Sequence, residues 1–218
     1  VLKDYHPNAG GSFLAGEYYW YSLREASFRT LLTLVPAAPK RFIDAGSGLG
    51  DKLWLADDIF KNAKLIGIEE DREVANKSRA LLKTHAIPAR ILTRNVFDYR
   101  YSGPNTVVYT FGPAQSLVQS FTVKVLTELG VGSSLIQVCG THAWQPLVFT
   151  RTSKNQFLIT FYQSSLKGTK VFKPKKIFSV KRQVLFDWLV QHASSVFFDW
   201  LIVKLEESCV CSGKNAVH

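Results

Sequence analysis

The segment that most restricts this chain lies at residues 41–50. A short apolar run, Arg41-Phe-Ile-Asp44, enters Ala-Gly-Ser-Gly-Leu-Gly50, and a helical pattern follows from Lys52 to Asn62. Glycines at 46, 48 and 50 let the main chain turn through conformations closed to other residues and leave room beside the backbone for a ligand. The spacing also says what that ligand is not. A dinucleotide turn reads G-x-G-x-x-G, and here its last glycine position is Asp51. A carboxylate there would crowd and repel a pyrophosphate, so the turn suits a ligand without phosphates at that point. Asp44, two positions before the first glycine, is placed to face an ammonium group. The next apolar run ends in Gly67-Ile-Glu69, and a carboxylate at that strand end can accept hydrogen bonds from two ribose hydroxyls.

The chain around this turn alternates. Runs at 64–69, 89–93, 105–110 and 133–139 read as short apolar strands. Runs at 71–85 and 114–129 read as helices, the first with Val74, Ala75, Ser78, Leu81 and Leu82 on one face. This rhythm predicts a parallel sheet with helices on both faces. Upstream, residues 1–16 read as an arm and 17–34 as a helix. Tyr18, Tyr19, Trp20 and Tyr21 are consecutive, so a helix would spread them over all its sides and turn at least one toward a groove or a partner. After Gly140 the rhythm changes to a strand at 157–162, a helix at 180–192 and a strand-like run at 195–206. Trp188, Phe197, Phe198 and Trp200 are expected in the core, with His142 and Trp144 near the end of the fifth strand.

Charge is uneven. Residues 150–218 carry 11 basic and 4 acidic side chains, and Lys167 to Arg182 holds seven basic residues and no acid. Interleaved with Val171, Phe172, Ile177 and Phe178, that run suits a polyanion, with Lys173, Lys175 and Lys176 as contacts. No apolar run reaches the 18 residues of a membrane span, and no secretory signal is visible. Cys139, Cys209 and Cys211 form neither a disulfide framework nor a zinc set, so no metal is expected and the thiols suit a reduced, cytoplasmic setting. The chain lacks methionine and starts at Val1, which reads as a domain cut from a longer protein or a polyprotein product, viral in the leading case.

A phosphate-free ligand with an ammonium and a ribose describes S-adenosylmethionine. On Asp44-Ala-Gly-Ser-Gly-Leu-Gly50 and Glu69, residues 41 to about 140 resemble class I S-adenosylmethionine-dependent methyltransferases. The resemblance implies a Rossmann-like α/β fold, with a seven-stranded, mostly parallel sheet and a reversed last strand supplied by 195–206. It implies that Asp44, Gly46, Ser47, Gly48 and Gly50 line the methionine part of the cofactor, that Glu69 holds the ribose and that Asn95 and Val96 flank adenine. Many relatives have Asp where this chain has Asn95, and Glu70 is the alternative to Glu69 at the strand end. The chain then divides into an arm and helix, 1–35, and one domain, 36–218, with a cofactor half at 41–140 and a basic substrate-side half at 141–218.

The fourth strand ends in Tyr109-Thr-Phe-Gly-Pro113, where the family's acceptor sits. It has no Asn/Asp-Pro-Pro-aromatic run for exocyclic amines, no Pro-Cys for cytosine C5, and no Asp in that position for a ribose hydroxyl. Tyr109, Thr110 and Phe111 can position an acceptor but offer no general base. Guanine N7 carries a free lone pair and needs none. With Tyr18, Tyr21 and Phe111 to stack a purine, the leading expectation is guanine-N7 methylation of capped RNA. Gly50-Asp-Lys-Leu-Trp54 looks like the turn-to-helix stretch of cap methyltransferases, although the His-Tyr pair such enzymes often carry after the fourth strand is missing. The glycine turn and Phe111-Gly-Pro113 are also similar to histone lysine methyltransferases, which would make a protein lysine the acceptor. A non-catalytic RNA-binding module on the same fold is the third expectation.

Overall fold

Phe42 and Ile43 are adjacent, point to opposite faces of one strand, and are both fully buried. A strand covered on both faces needs helices above and below it. The computed structural model describes residues 12–15, 18–21, 25–35, 38–111, 115–139, 145–164, 172–191, 201, 203–205 and 207. In chain order they form β1 (Ser12–Ala15), β2 (Tyr18–Tyr21), α1 (Glu25–Leu32), β3 (Arg41–Ala45), α2 (Asp51–Ile59), β4 (Lys64–Glu69), α3 (Arg72–Thr84) and β5 (Ala89–Thr93). There follow β6 (Thr106–Phe111), α4 (Gln115–Glu128), β7 (Ser134–Cys139), β8 (Gln145–Ser153), β9 (Gln156–Ser164), β10 (Phe172–Lys181) and α5 (Arg182–Gln191).

Among the described residues, β1 and β2 pair by themselves, and eight strands form one sheet in the order β10-β9-β8-β7-β6-β3-β4-β5. The strands from β5 through β4, β3 and β6 to β7 run parallel. From β7 onward the sheet continues as an antiparallel meander through β8, β9 and β10. Phe28 and Leu31 of α1, Leu53 of α2, and Ala75 and Leu82 of α3 cover one face with Phe42 and Tyr109. On the other face, Phe121 and Val125 of α4 and Leu185 and Leu189 of α5 pack with Ile43 and Val108.

Local chemistry fixes the helix starts around the glycine turn. Asp71 caps α3, its side chain accepting the N–H groups of Glu73 at 2.8 Å and Val74 at 3.0 Å, a cap worth about 1 kcal/mol. Gly50 precedes α2 at φ +87°, and a Cβ there would lie 2.8 Å from the Ser78 hydroxyl and 3.0 Å from Leu82. Only a glycine lets α2 and α3 approach this closely.

Four expectations are corrected. Residues 17–34 do not make one helix: Tyr18–Tyr21 is a strand paired with Ser12–Ala15, and the helix covers only Glu25–Leu32. Four consecutive aromatics have no helical period and a strong β preference. The sheet has eight strands rather than seven, and its reversed part is the meander β8–β10. β8 and β10 both escape sequence reasoning: Pro146 near the start of β8 disguises it as a break, and the basic run around 173–176 disguises β10. The run at 195–206 does not supply a reversed last strand: residues 201 and 203–205 are helical. Leu201 and Leu205, spaced i, i+4, are buried in the same cluster as α4 and α5. An apolar run without clear alternation does not separate strand from helix.

Candidate functional site

β3 is the strand at which the sheet order reverses. The chain adds β4 and β5 on one side of it, then returns to place β6 and β7 on the other. Ligands of open α/β sheets bind at such a switch point, outside the carboxyl ends of the strands. Asp44, Glu69 and Tyr109–Phe111 all lie at those ends.

The turn after β3 is built on its glycines. Gly46, Gly48 and Gly50 have φ of +84°, +51° and +87°, a region that costs other L-residues about 1–2 kcal/mol each. The N–H groups of Gly46 and Ser47 both donate to the Ile68 carbonyl at 2.9 Å, tying the turn to β4. A Cβ on Gly46 would meet nothing within 4 Å. Open space therefore begins at Gly46, whereas Gly50 serves helix packing.

Asp44 is 2% exposed, and its Oδ2 has no hydrogen-bond partner among the described residues. Burial pushes its carboxyl well above the usual carboxylate range; Asp51 adds to the rise, Lys52 opposes it, and Glu69 adds a further increment. An orphaned buried carboxylate oxygen costs stability and is repaid by a cationic donor. This buried acceptor beside the open space at Gly46 fits an amino-acid ammonium group.

The Glu69 carboxylate bridges two elements. Its Oε2 accepts the Gly48 N–H at 2.9 Å and its Oε1 the Asp71 N–H at 3.0 Å. Glu69, rather than Glu70, is thus the residue turned to the glycine loop. Glu70 instead accepts from the Asn95 amide at 3.1 Å, and the Asn95 side-chain oxygen accepts the Phe97 N–H at 2.8 Å. Val96 follows, partly buried, with its carbonyl accepting the Tyr101 hydroxyl at 2.9 Å. Hydrogen-bonding groups thus cluster at the ends of β4 and β5. The Ser47 side chain turns away from the open space, toward Gly67 of β4, where an added Cβ would lie 2.7 Å from its hydroxyl.

The three residues at the end of β6 separate by face. Tyr109 pairs in register with Asp44, and its ring meets Phe28 edge-on with centroids 4.9 Å apart. Phe111 packs on the same side, partly buried. Thr110 points to the opposite face, is buried, and donates its hydroxyl to the Ala45 carbonyl at 3.2 Å.

A buried cation beside the turn escapes sequence reasoning. Lys52, 3% exposed, forms an ion pair with Asp51 at 2.5 Å and lies 5.4 Å from the centre of the Phe28 ring. Its position after Asp51 in the first turn of a helix reads as surface. The signal that could find it is the helix pattern, since Lys52, Leu53, Leu55 and Ala56 are the buried residues of α2.

The substrate-side expectations fall at the limits of the structure. Tyr18 and Tyr21 are the end residues of β2. Lys173, Lys175 and Lys176 belong to β10, with a register shift between Pro174 and Lys176. The side chains of these five lie outside the described residues, as do His142 and Trp144. Among the described residues no cluster of His, Cys, Asp or Glu could hold a metal ion. No described helix is long and apolar enough to cross a membrane.

No protein-family model matches the chain, and no curated protein matches it in sequence. Solved structures match it in shape. A protein-L-isoaspartate O-methyltransferase superposes with a TM-score of 0.57 at 12% identity, over 70% of this chain and 49% of that one. The chain has the Rossmann-like fold of the class I methyltransferases. It spans about half the length of that neighbour. Lower in similarity stands an RNA methyltransferase from Salinibacter ruber in complex with S-adenosyl-L-homocysteine, with a TM-score of 0.48, 21% identity, and 54% and 76% of the two chains covered. A geranyl diphosphate C-methyltransferase from Streptomyces coelicolor has a TM-score of 0.45, 17% identity, and 53% and 44% covered.

Proposed function

We propose that this chain is a methyltransferase that binds S-adenosylmethionine and methylates RNA, with N7 of a cap guanine as the acceptor. The observation that carries the reading is the buried, unpartnered Oδ2 of Asp44 beside the open space at Gly46. When bound, the cofactor supplies an electrophilic methyl group on a sulfonium. Asp44 takes up the ammonium, and the charge it meets there compensates the cost of burying its own. Glu69 accepts from the ribose hydroxyls, and Asn95 and Val96 flank the adenine. The Gly48 N–H already holds one oxygen of Glu69, so a ribose would share that carboxylate with the glycine loop.

The acceptor is argued from the end of β6. A hydroxyl acceptor must lose its proton, and Tyr109, Thr110 and Phe111 themselves offer neither carboxylate nor lysine. The Thr110 hydroxyl is engaged with the Ala45 carbonyl on the other face. Phe111 and Tyr109 can orient and desolvate a flat base without moving a proton. A purine nitrogen with a free lone pair fits that equipment. The excess of 11 basic over 4 acidic residues in 150–218 favours a polyanionic carrier for it. Residues 36–218 act as one domain in this reading, with Tyr18, Tyr21 and the lysines of β10 on the RNA side.

The test is product analysis after incubation with labelled cofactor and a GpppN-capped RNA. Label recovered as 7-methylguanosine is the expected result. Label only on protein lysine, offered as histone, overturns the acceptor and keeps the enzyme. RNA binding that is indifferent to the cofactor, with no transfer to any substrate, overturns the enzyme.

A further inference from the structure

The edge strand β5 is bordered by basic side chains that the chain's overall charge conceals. Residues 72–100 contain seven Lys and Arg against two acids, Glu73 and Asp98. Arg72, Asn76, Arg79 and Lys83 recur at i, i+4, i+7 and i+11, one stripe along α3, and all four are exposed. The Arg79 guanidinium places that stripe against the edge, donating to the Ile91 carbonyl at 3.1 Å and the Thr93 hydroxyl at 2.6 Å. Arg90, within β5, and Arg94, just after it, are exposed at this edge. Arg90 pairs with Ile66 and alternates with Ile91, so it projects on the face opposite α3, and the basic side chains border the edge from both faces. Glu73 is taken by Lys77 at 2.6 Å, and Glu70 by Asn95. Arg72, Arg79, Lys83, Arg90 and Arg94 have no ion-pair partner among the described residues.

The stripe is continuous with the candidate site. Arg72 follows Asp71, whose N–H is held by Glu69, and the Arg94 N–H donates to the Glu69 carbonyl at 3.0 Å. These two arginines therefore stand at the rim, Arg79 in the middle, and Lys83 and Arg90 at the far end. From Arg72 to Lys83 the path is about 16 Å long at 1.5 Å per residue. No aromatic residue lies on α3 or β5, so the edge is equipped to contact phosphates and not to stack bases.

We propose that this edge is a sequence-independent track for single-stranded RNA, which leads the strand from the reacting nucleotide away across α3. The proposal rests on the reading of RNA as the substrate. Distance favours this edge over the basic run of β10. In the sheet order, β5 lies two strand spacings from β3 and β10 lies five, or roughly 10 Å against 24 Å at 4.8 Å per spacing. β10 is the opposite edge strand, so its lysines would meet the RNA farther from the reacting nucleotide than the β5 edge does.

The experiment measures binding of a labelled, unstructured RNA oligonucleotide to the full chain over a salt series, with cofactor affinity measured by calorimetry on the same samples. Joint substitution Lys83→Ala, Arg90→Ala and Arg94→Ala removes three exposed charges that make no side-chain hydrogen bond among the described residues. The expected result is a salt slope lower by about 2, from about 0.7 per phosphate contact on a single strand, with cofactor affinity unchanged. The charge-conserving set Lys83→Arg, Arg90→Lys and Arg94→Lys should keep the parent slope. A parent slope in the alanine set, or no RNA binding by the parent, overturns the track. A lower slope in a protein that binds no cofactor supports the track while removing the methyltransferase reading. If phosphatidylserine vesicles bind with the same loss in the alanine set and RNA does not, the edge serves a membrane surface and the proposal falls.

Discussion

The carboxylate of Glu69 accepts the N–H of Gly48, two strand ends apart, at 2.9 Å. The residue best placed for a ribose thus also ties down the glycine loop. Its other oxygen holds the Asp71 N–H at the start of α3. Glu69 consequently serves the fold and the site together, and its replacement should be felt by both.

Glu69→Ala is expected to lower stability by about 1 kcal/mol, less than a buried charged hydrogen bond would give because the group is partly exposed to water. Cofactor affinity should fall as well. Glu69→Gln keeps one acceptor oxygen for the loop, so it should recover most of the melting temperature and little of the affinity. Thermal melting beside calorimetric titration separates the two effects. Equal recovery of both by Gln would mean that Glu69 only orders the loop.

Asp44 makes the opposite trade. Burial raises its carboxyl well above the ordinary range in the folded chain, whereas the unfolded value is about 3.9. A raised acid contributes its stability in full below the unfolded value, and the contribution is lost as pH rises through the folded value. Asp44→Asn cannot ionise and escapes that loss. Its melting temperature should match the parent in acid and exceed it increasingly toward alkaline pH, while cofactor binding is lost at every pH. A constant offset between the two melting curves would contradict the buried charge.

The two glycines that flank the turn should fail in different ways. Gly46→Ala adds a methyl group to open space, so its stability cost is the strain of φ +84°, about 1–2 kcal/mol. The larger effect should be on the cofactor, whose place the methyl group takes. Gly50→Ala meets Ser78 and Leu82 across the α2–α3 contact and adds overpacking to similar strain. It should melt lower than Gly46→Ala and, where folded, bind cofactor better. The reverse ranking in both assays would put the ligand at Gly50.

What could be read from the sequence follows from how local each signal is. β4 and β5 form over the residues their apolar runs mark, 64–69 and 89–93: β4 is buried between two neighbours, and β5, at the sheet edge, is marked by its own Ile91 and Leu92. The placement of Asp44 and Glu69 near the ends of their strands is readable because the glycine turn marks where the first strand stops and the apolar run marks the second. The helix of Leu201 and Leu205 is not, since its burial depends on α4 and α5, which are distant in sequence. Lys52 is hidden for a related reason: its cover is Phe28, and only the packing of α1 against α2 brings that ring over it. The basic edge of β5 escapes because residues 1–149 balance 16 bases with 13 acids, and only the fold gathers part of the bases on one side.

The last test uses the split at the end of β6. Phe111 lies on the side of Tyr109 and Phe28, and Thr110 on the far face, bonded to Ala45. Phe111→Ala removes the ring that would hold a flat acceptor, so turnover should fall at least tenfold, about 1.4 kcal/mol or more in the barrier, with cofactor affinity near that of the parent. Thr110→Val keeps the shape and removes a buried hydrogen bond, which costs about 1 kcal/mol of stability. Its turnover per folded molecule should stay close to the parent value, because no acceptor reaches that face. Measuring kcat, cofactor affinity and melting temperature on both variants decides the matter. If Thr110→Val loses turnover and Phe111→Ala does not, the acceptor approaches from the α4 face, and the pocket assigned to Phe111 and Tyr109 is the wrong one.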